Sequence, residues 1–114
     1  MADSNWDADA LSKRYELLTL NAEGRLKELD WKIKEKPAYA VEYDAVLADF
    51  WVYNYLHGKT FLASRDALIG SLREYLGLEE QVARQVVGPK DRQAFMGHWR
   101  RKVDGMIADL EKGQ

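Results

Sequence analysis

The sequence predicts an all-α fold, a compact bundle of about five helices with a long first helix and a central helix buried on two faces. Apolar residues recur at spacings of three, four and seven along most of the chain, which is typical of one face of a helix. The chain holds only two prolines and eight glycines among 114 residues, and most of them stand between apolar segments. This length suits one core, so we predict a single helical domain over residues 9–114 after a flexible tail over residues 1–8.

The first predicted helix runs from about Asp9 to Glu35. Its apolar stripe consists of Leu11, Tyr15, Leu18, Ala22, Leu29 and Ile33. Gly24 lies inside this stripe and costs about 1 kcal/mol there relative to alanine. A competing interpretation makes residues 15–35 a strand pair that turns near Gly24, because apolar residues alternate after it. The stripe crosses Gly24 without a change of phase, which favours a single helix.

The second predicted helix, from Pro37 to His57, is apolar on two faces. One face holds Tyr39, Tyr43, Val46, Phe50 and Tyr53. The other holds Val41, Ala45, Ala48, Val52 and Leu56. Asp44 and Asp49 mark the narrow polar edges between them. We expect this helix to lie centrally and to be packed from both sides.

Three shorter helices are predicted to follow, over about residues 61–76, 79–87 and 89–112. Either Thr60 or Ser64 is a suitable cap for the first of these. The last has the clearest apolar stripe in the chain, made of Phe95, Met96, Trp99, Val103, Met106, Ile107 and Leu110.

Proline and glycine positions predict how these helices begin and end. Pro37 and Pro89 are expected in the first turn of a helix, where no amide donor is needed. Gly58, Gly77 and Gly88 are expected just past helix ends in the left-handed conformation.

The residues that carry catalysis or metal binding in other proteins do not form a usable set. The chain has no cysteine and only two histidines, and neither His57 nor His98 has the carboxylate spacing of a helical metal site. The segment 58–60 has the letters that end a phosphate-binding loop, but Tyr53 stands where that loop needs glycine. We therefore predict a protein that is not an enzyme and that uses no metal or cofactor.

Charge and hydropathy argue against two further partners. The net charge of −2 gives no general attraction to anionic lipid or nucleic acid. No apolar run approaches the roughly 20 residues that span a bilayer, and the first residues lack the features of a signal peptide. The absence of cysteine suits a reducing compartment. We expect no membrane association and a cytoplasmic location.

A second apolar stripe, formed by Leu17, Leu20 and Trp31, lies on the far side of the first helix. Exposed stripes that contain aromatic residues are typical of protein contact surfaces. The competing interpretation is that another helix, or the tail that carries Trp6, covers the stripe. The leading prediction is a protein–protein interaction module (an adaptor, an inhibitor or an assembly factor) that binds a partner protein or forms a homodimer.

Nucleic-acid binding is the alternative function, and residues 72–87 are its first candidate. A helix, a glycine turn and a short helix have the outline of a helix-turn-helix motif. The motif is degenerate, since Arg73 stands where a small residue is expected and the second helix opens with acidic residues. Arg84 is the basic residue there that would read DNA.

The second candidate is the basic run of Arg100, Arg101 and Lys102, which follows Trp99. Basic residues beside an aromatic residue are typical of contacts with nucleic acid or with an acidic partner. Helical phase separates the three side chains around the helix, which favours a solvated face with side-chain stems over the core edge.

Overall fold

The structure, a computed structural model, describes residues 7–61 and 64–112. It contains five helices in these ranges: α1 (Ala8–Glu35), α2 (Tyr39–Lys59), α3 (Arg65–Leu76), α4 (Glu79–Val86) and α5 (Arg92–Glu111). No strand occurs in the described ranges, so the all-α prediction is confirmed. The bundle is elongated, with extents of 53 × 26 × 21 Å, because α1 spans about 42 Å at 1.5 Å per residue.

The long first helix is confirmed, and the strand pair over residues 15–35 is wrong. The side chain of Asp7 caps α1 by accepting a hydrogen bond from the Ala10 amide at 3.0 Å. The helix then passes through Gly24 without a break. Its buried residues are Tyr15, Ala22 and Leu29, and their spacing of seven keeps one seam against α2. Residues 1–6 of the predicted tail lie outside the described part of the chain.

The central position of α2 is confirmed, since α1, α3 and α5 all pack against it. Its buried side chains include Ala48, Val52 and Leu56, and the small alanine lets a neighbouring helix approach closely. The opposite, aromatic face is half-buried. Val41 was predicted on the same face as Ala48 and Val52, but it lies at the start of the helix and is 70% exposed.

The core lies around α5, which packs against α2, α3 and α4. The side chains that α5 buries are Phe95, Trp99, Val103, Ile107 and Leu110. Facing residues of α3 complete this core, and the rings of Tyr75 and Trp99 meet edge to face with their centroids 4.9 Å apart. The predicted stripe of α5 is therefore its buried face, with Met96 and Met106 half-buried at the margins.

The predicted left-handed conformation at Gly58, Gly77 and Gly88 is wrong, since none of the three has a positive φ in that region. Gly58 lies inside α2, which continues to Lys59. Gly77 is right-handed, with φ −67° and ψ −14°. The physical reason is that α4 begins two residues after Gly77, so the chain keeps its right-handed course through a tight turn.

Pro37 and Pro89 lie two and three residues before the helices they introduce, and not in the first turn as predicted. The carbonyl of Pro37 accepts a hydrogen bond from the amide of Ala40 at 3.0 Å, which makes a turn that leads into α2. Ser64 caps α3 by accepting a hydrogen bond from the Ala67 amide at 3.1 Å. A lead-in turn therefore separates each proline from its helix, whereas Ser64 stands directly before α3.

Candidate interaction surface

The outward face of α1 carries the three residues that the sequence predicts to bind a partner. Leu17, Leu20 and Trp31 are 60%, 56% and 74% exposed. α1 packs mainly against α2, which covers the opposite side of the helix and leaves these side chains in solvent. No described segment covers them, and Trp6 lies outside the described residues. We define these three side chains as the α1 outward face.

This face concentrates exposed apolar surface. Of the large apolar side chains that are exposed in the described ranges, three belong to it. The others are Val41 on α2, and Phe61 and Leu78 between helices. Single exposed apolar residues are normal, whereas a group on one helix needs a reason. The ring of Trp31 lies 5.0 Å from Nζ of Lys34, a contact that leaves most of the indole accessible.

Charged residues near the middle of α1 are engaged within the chain. Arg25 reaches across to Glu42 of α2, with its Nε 3.1 Å from the carboxylate, and also pairs with Glu28 at 2.9 Å. Lys32 pairs with Glu28 at 3.1 Å. Lys32 and Arg25 hold the pKa of the Glu28 carboxyl below its ordinary value. Of these pairs, Arg25 with Glu42 joins α1 to α2, and the other two lie within α1.

The basic run on α5 does not form one free patch. Arg100 makes a two-pronged contact with Glu79 of α4, at 2.8 and 2.9 Å. Arg101 lies 3.1 Å from Nδ1 of His98. Lys102 donates to the Tyr53 hydroxyl and lies over the Tyr53 ring. Each of the three side chains points to a different neighbour, as their helical phase predicts.

The candidate helix-turn-helix at residues 72–87 is built as α3, a short turn and α4. Both helices pack on α5, and neither packs extensively on the other. Glu79 and Glu80 occupy the first turn of α4, and Glu79 is held by Arg100. Arg84 is exposed on this helix and has no ion-pair partner in the described part of the chain.

Asp44 on α2 carries a buried carboxylate. The sequence pattern predicts it at a narrow polar edge between the two apolar faces of that helix. Its residue is only 9% exposed, and burial, together with the nearby Asp91, raises the pKa of its carboxyl, while His98 lowers it. It lines a groove of about 540 Å³ together with Tyr43 and other residues of α2 and α4. No signal in the sequence distinguishes it from Glu42 and Asp49, the other acids of the same helix.

A second groove, of about 340 Å³, lies between α2 and α4. It is lined by Trp51, Tyr55 and Tyr75, among others. The rings of Tyr55 and Tyr75 are stacked with centroids 3.7 Å apart, and the Tyr55 hydroxyl lies 2.7 Å from the Ser71 hydroxyl. These tyrosine side chains therefore contact one another inside the bundle.

Replacing Asp44 with asparagine is expected to stabilise the protein at neutral pH. Because the pKa of Asp44 is raised on folding, the folded chain binds its proton more readily than the unfolded chain. Its contribution is therefore favourable at low pH and is lost as pH rises through the folded pKa. Thermal melts at neutral and acidic pH should show a Tm gain of a few degrees that shrinks on acidification.

The matched control is Asp104→Asn, which removes an exposed carboxylate on α5. We expect a much smaller change in Tm at either pH, since that side chain stays in water when the chain folds. Equal Tm gains in the two variants would show that net charge, and not burial of Asp44, is responsible.

Within residues 7–61 and 64–112, no group of three or more His, Asp or Glu side chains could hold a metal ion. In the same ranges, no helix is both long and apolar enough to cross a membrane. Comparison with models of known protein families, with curated proteins and with solved structures found no match.

Proposed function

We propose that this chain is a cytoplasmic interaction module that acts by protein–protein contact through the α1 outward face, and that it associates with itself. The observation that carries the proposal is the 56–74% exposure of Leu17, Leu20 and Trp31 on one long helix. α1 is also supported from one side only, by α2, so a partner can lie along its whole length. In this proposal the chain acts by binding and does not catalyse a reaction.

Large exposed aromatic and leucine side chains lose water when a partner covers them, and this burial favours association by roughly 25 cal/mol per Å² of apolar area. Tryptophan in particular is enriched among the residues that dominate binding energy. An interface formed by one helix of each partner is at the small end of the usual range. We therefore expect association in the micromolar range.

The test is light scattering of the purified chain from low to high micromolar concentration, with Trp31→Glu as the variant. We expect the wild type to shift from monomer to dimer and the variant to remain monomeric, because a buried charge opposes association. Far-UV circular dichroism should show the same helix content and the same melting behaviour at low concentration.

Val41→Glu is the matched control, since Val41 is 70% exposed and lies on α2, outside the α1 outward face. It introduces the same charge in place of an apolar residue, and we expect it to dimerise like the wild type. A wild type that stays monomeric at high micromolar concentration would overturn self-association. Unfolding of Trp31→Glu would assign Trp31 to the core.

Nucleic-acid binding has weaker support. Among its candidate residues, Arg100 is engaged by Glu79 and Lys102 by Tyr53. Arg84 and Arg101 are exposed without an ion-pair partner in the described ranges, and two arginines on different helices supply little attraction for a phosphate backbone.

A further inference from the structure

Four residues on the outer side of α1 form two pairs, each pair at equal distances before and after Gly24. Leu17 and Trp31 each lie seven residues from it, and Lys13 and Glu35 each lie eleven residues from it. At 3.6 residues per turn, seven residues make two turns less about 20°, and eleven make three turns plus about 20°. All five positions therefore project within about 20° of one direction, along about 33 Å of helix.

This symmetry matters when two copies of α1 lie against each other. In an antiparallel pair with a two-fold axis at Gly24, Leu17 of each copy faces Trp31 of the other, and Lys13 faces Glu35. In a parallel pair, Lys13 faces Lys13 and Glu35 faces Glu35. Like charges then oppose each other at both ends, which disfavours the parallel pair.

The two terminal charges are available for such a contact. Lys13 and Glu35 are exposed, and neither has an ion-pair partner among the residues that the structure describes. Five charged residues nearer the middle differ, because they form ion pairs within the chain: Glu23, Arg25, Lys27, Glu28 and Lys32. Unpaired opposite charges thus stand at the two ends of the apolar stripe.

Gly24 has no packing role inside the monomer. A Cβ added there would meet no atom within 4 Å, and glycine in a helix interior is less favourable than alanine. At a two-fold axis a glycine is favourable, because the absence of a side chain lets two helix backbones approach closely.

We propose that two copies of this chain associate through α1 as an antiparallel pair whose two-fold axis passes at Gly24. Leu17 packs on Trp31 of the second copy, and Lys13 pairs with Glu35 of the second copy. Since α2 covers the inner side of α1, the dimer has the layer order α2, α1, α1, α2. The proposal rests on the proposed function, because it requires self-association, and it adds the orientation and the register.

Cysteine crosslinking tests the register directly, since the chain has no cysteine of its own. In the Gly24→Cys variant the two thiols meet at the axis, within the roughly 4.4–6.8 Å between Cα atoms that a disulfide bridges. We expect a covalent dimer to form on mild oxidation at high micromolar concentration, at least tenfold faster than in Gly70→Cys. Gly70 is the matched control, an exposed glycine on α3 with equally open surroundings.

The outcomes separate the two proposals. A wild type that is dimeric by light scattering, together with equal crosslinking of Gly24→Cys and Gly70→Cys, overturns the register and leaves self-association standing. A monomeric wild type overturns both. Rapid crosslinking specific to Gly24→Cys supports both.

Orientation is tested by mixing Lys13→Cys with Glu35→Cys. The antiparallel pair predicts a mixed disulfide between the two variants and little covalent dimer from either variant alone. Efficient homodimer crosslinking of Lys13→Cys alone, or of Glu35→Cys alone, shows a parallel pair and overturns the proposal.

A charge exchange gives a readout without crosslinking. Lys13→Glu places like charges opposite each other at both ends of the dimer, and we expect about three- to tenfold weaker association at low salt. Adding Glu35→Lys to the same chain restores opposite charges and should restore the wild-type dissociation constant. A double variant as weak as Lys13→Glu alone overturns the proposed pairing.

Discussion

Replacing Trp99 with alanine is expected to lower the free energy of unfolding by about 3–5 kcal/mol. Trp99 is fully buried on α5 and is the largest such side chain in the described residues. Tyr75 packs against its ring from α3, so truncation leaves a cavity where α3 and α5 meet. Domains of this size have a free energy of unfolding of roughly 5–15 kcal/mol, so a large part of the total is lost.

Trp31→Ala is the matched control, because it removes the same side chain from a position that is 74% exposed. We expect a change within about 0.5 kcal/mol. Urea unfolding followed by far-UV circular dichroism measures both variants, at low micromolar concentration so that self-association contributes little. Equal losses in the two variants would contradict the burial of Trp99.

Replacing Leu29 with alanine is expected to cost about 2–5 kcal/mol and to loosen α1. Leu29 has no exposed surface and lies in the seam that joins α1 to α2. α1 has little other support in the bundle, so a cavity in this seam should act locally as well as on global stability. Hydrogen exchange should show faster exchange of α1 amides than of α5 amides, relative to the wild type.

Leu20→Ala is the control in the same helix, nine residues earlier and 56% exposed. Its loss of stability should stay within about 0.5 kcal/mol, although we expect it to weaken dimer formation. If Leu20→Ala destabilises the monomer as much as Leu29→Ala, the two faces of α1 have been assigned the wrong way round.

Helix ends were predicted less well than helix interiors. The apolar stripe of α5 predicts its buried face because a period of 3.6 residues follows from backbone geometry alone. The end of α2 at Lys59, beyond Gly58, depends on how the chain continues. Gly77 is a similar case, because the nearby start of α4 decides its backbone conformation. A glycine permits a left-handed turn and does not require one.

The candidate surface was predicted in part. Leu17, Leu20 and Trp31 fall opposite the buried stripe of α1, so their shared face follows from spacing. Their exposure depends on whether another helix packs there, and the structure places none of its described helices on that side. Spacing also relates Lys13 to Glu35, whereas their lack of ion-pair partners in the described ranges could be seen only in three dimensions.

By itself, the sequence determined the all-α class, the long first helix and the buried faces of α1 and α5, because local periodicity and the rarity of helix-breaking residues control them. Only the tertiary structure decided the burial of Asp44, the pairing of Arg100 with Glu79, and that no described helix covers the outer face of α1. These features join residues that are far apart in the chain, and no local pattern specifies which side chains meet across a bundle.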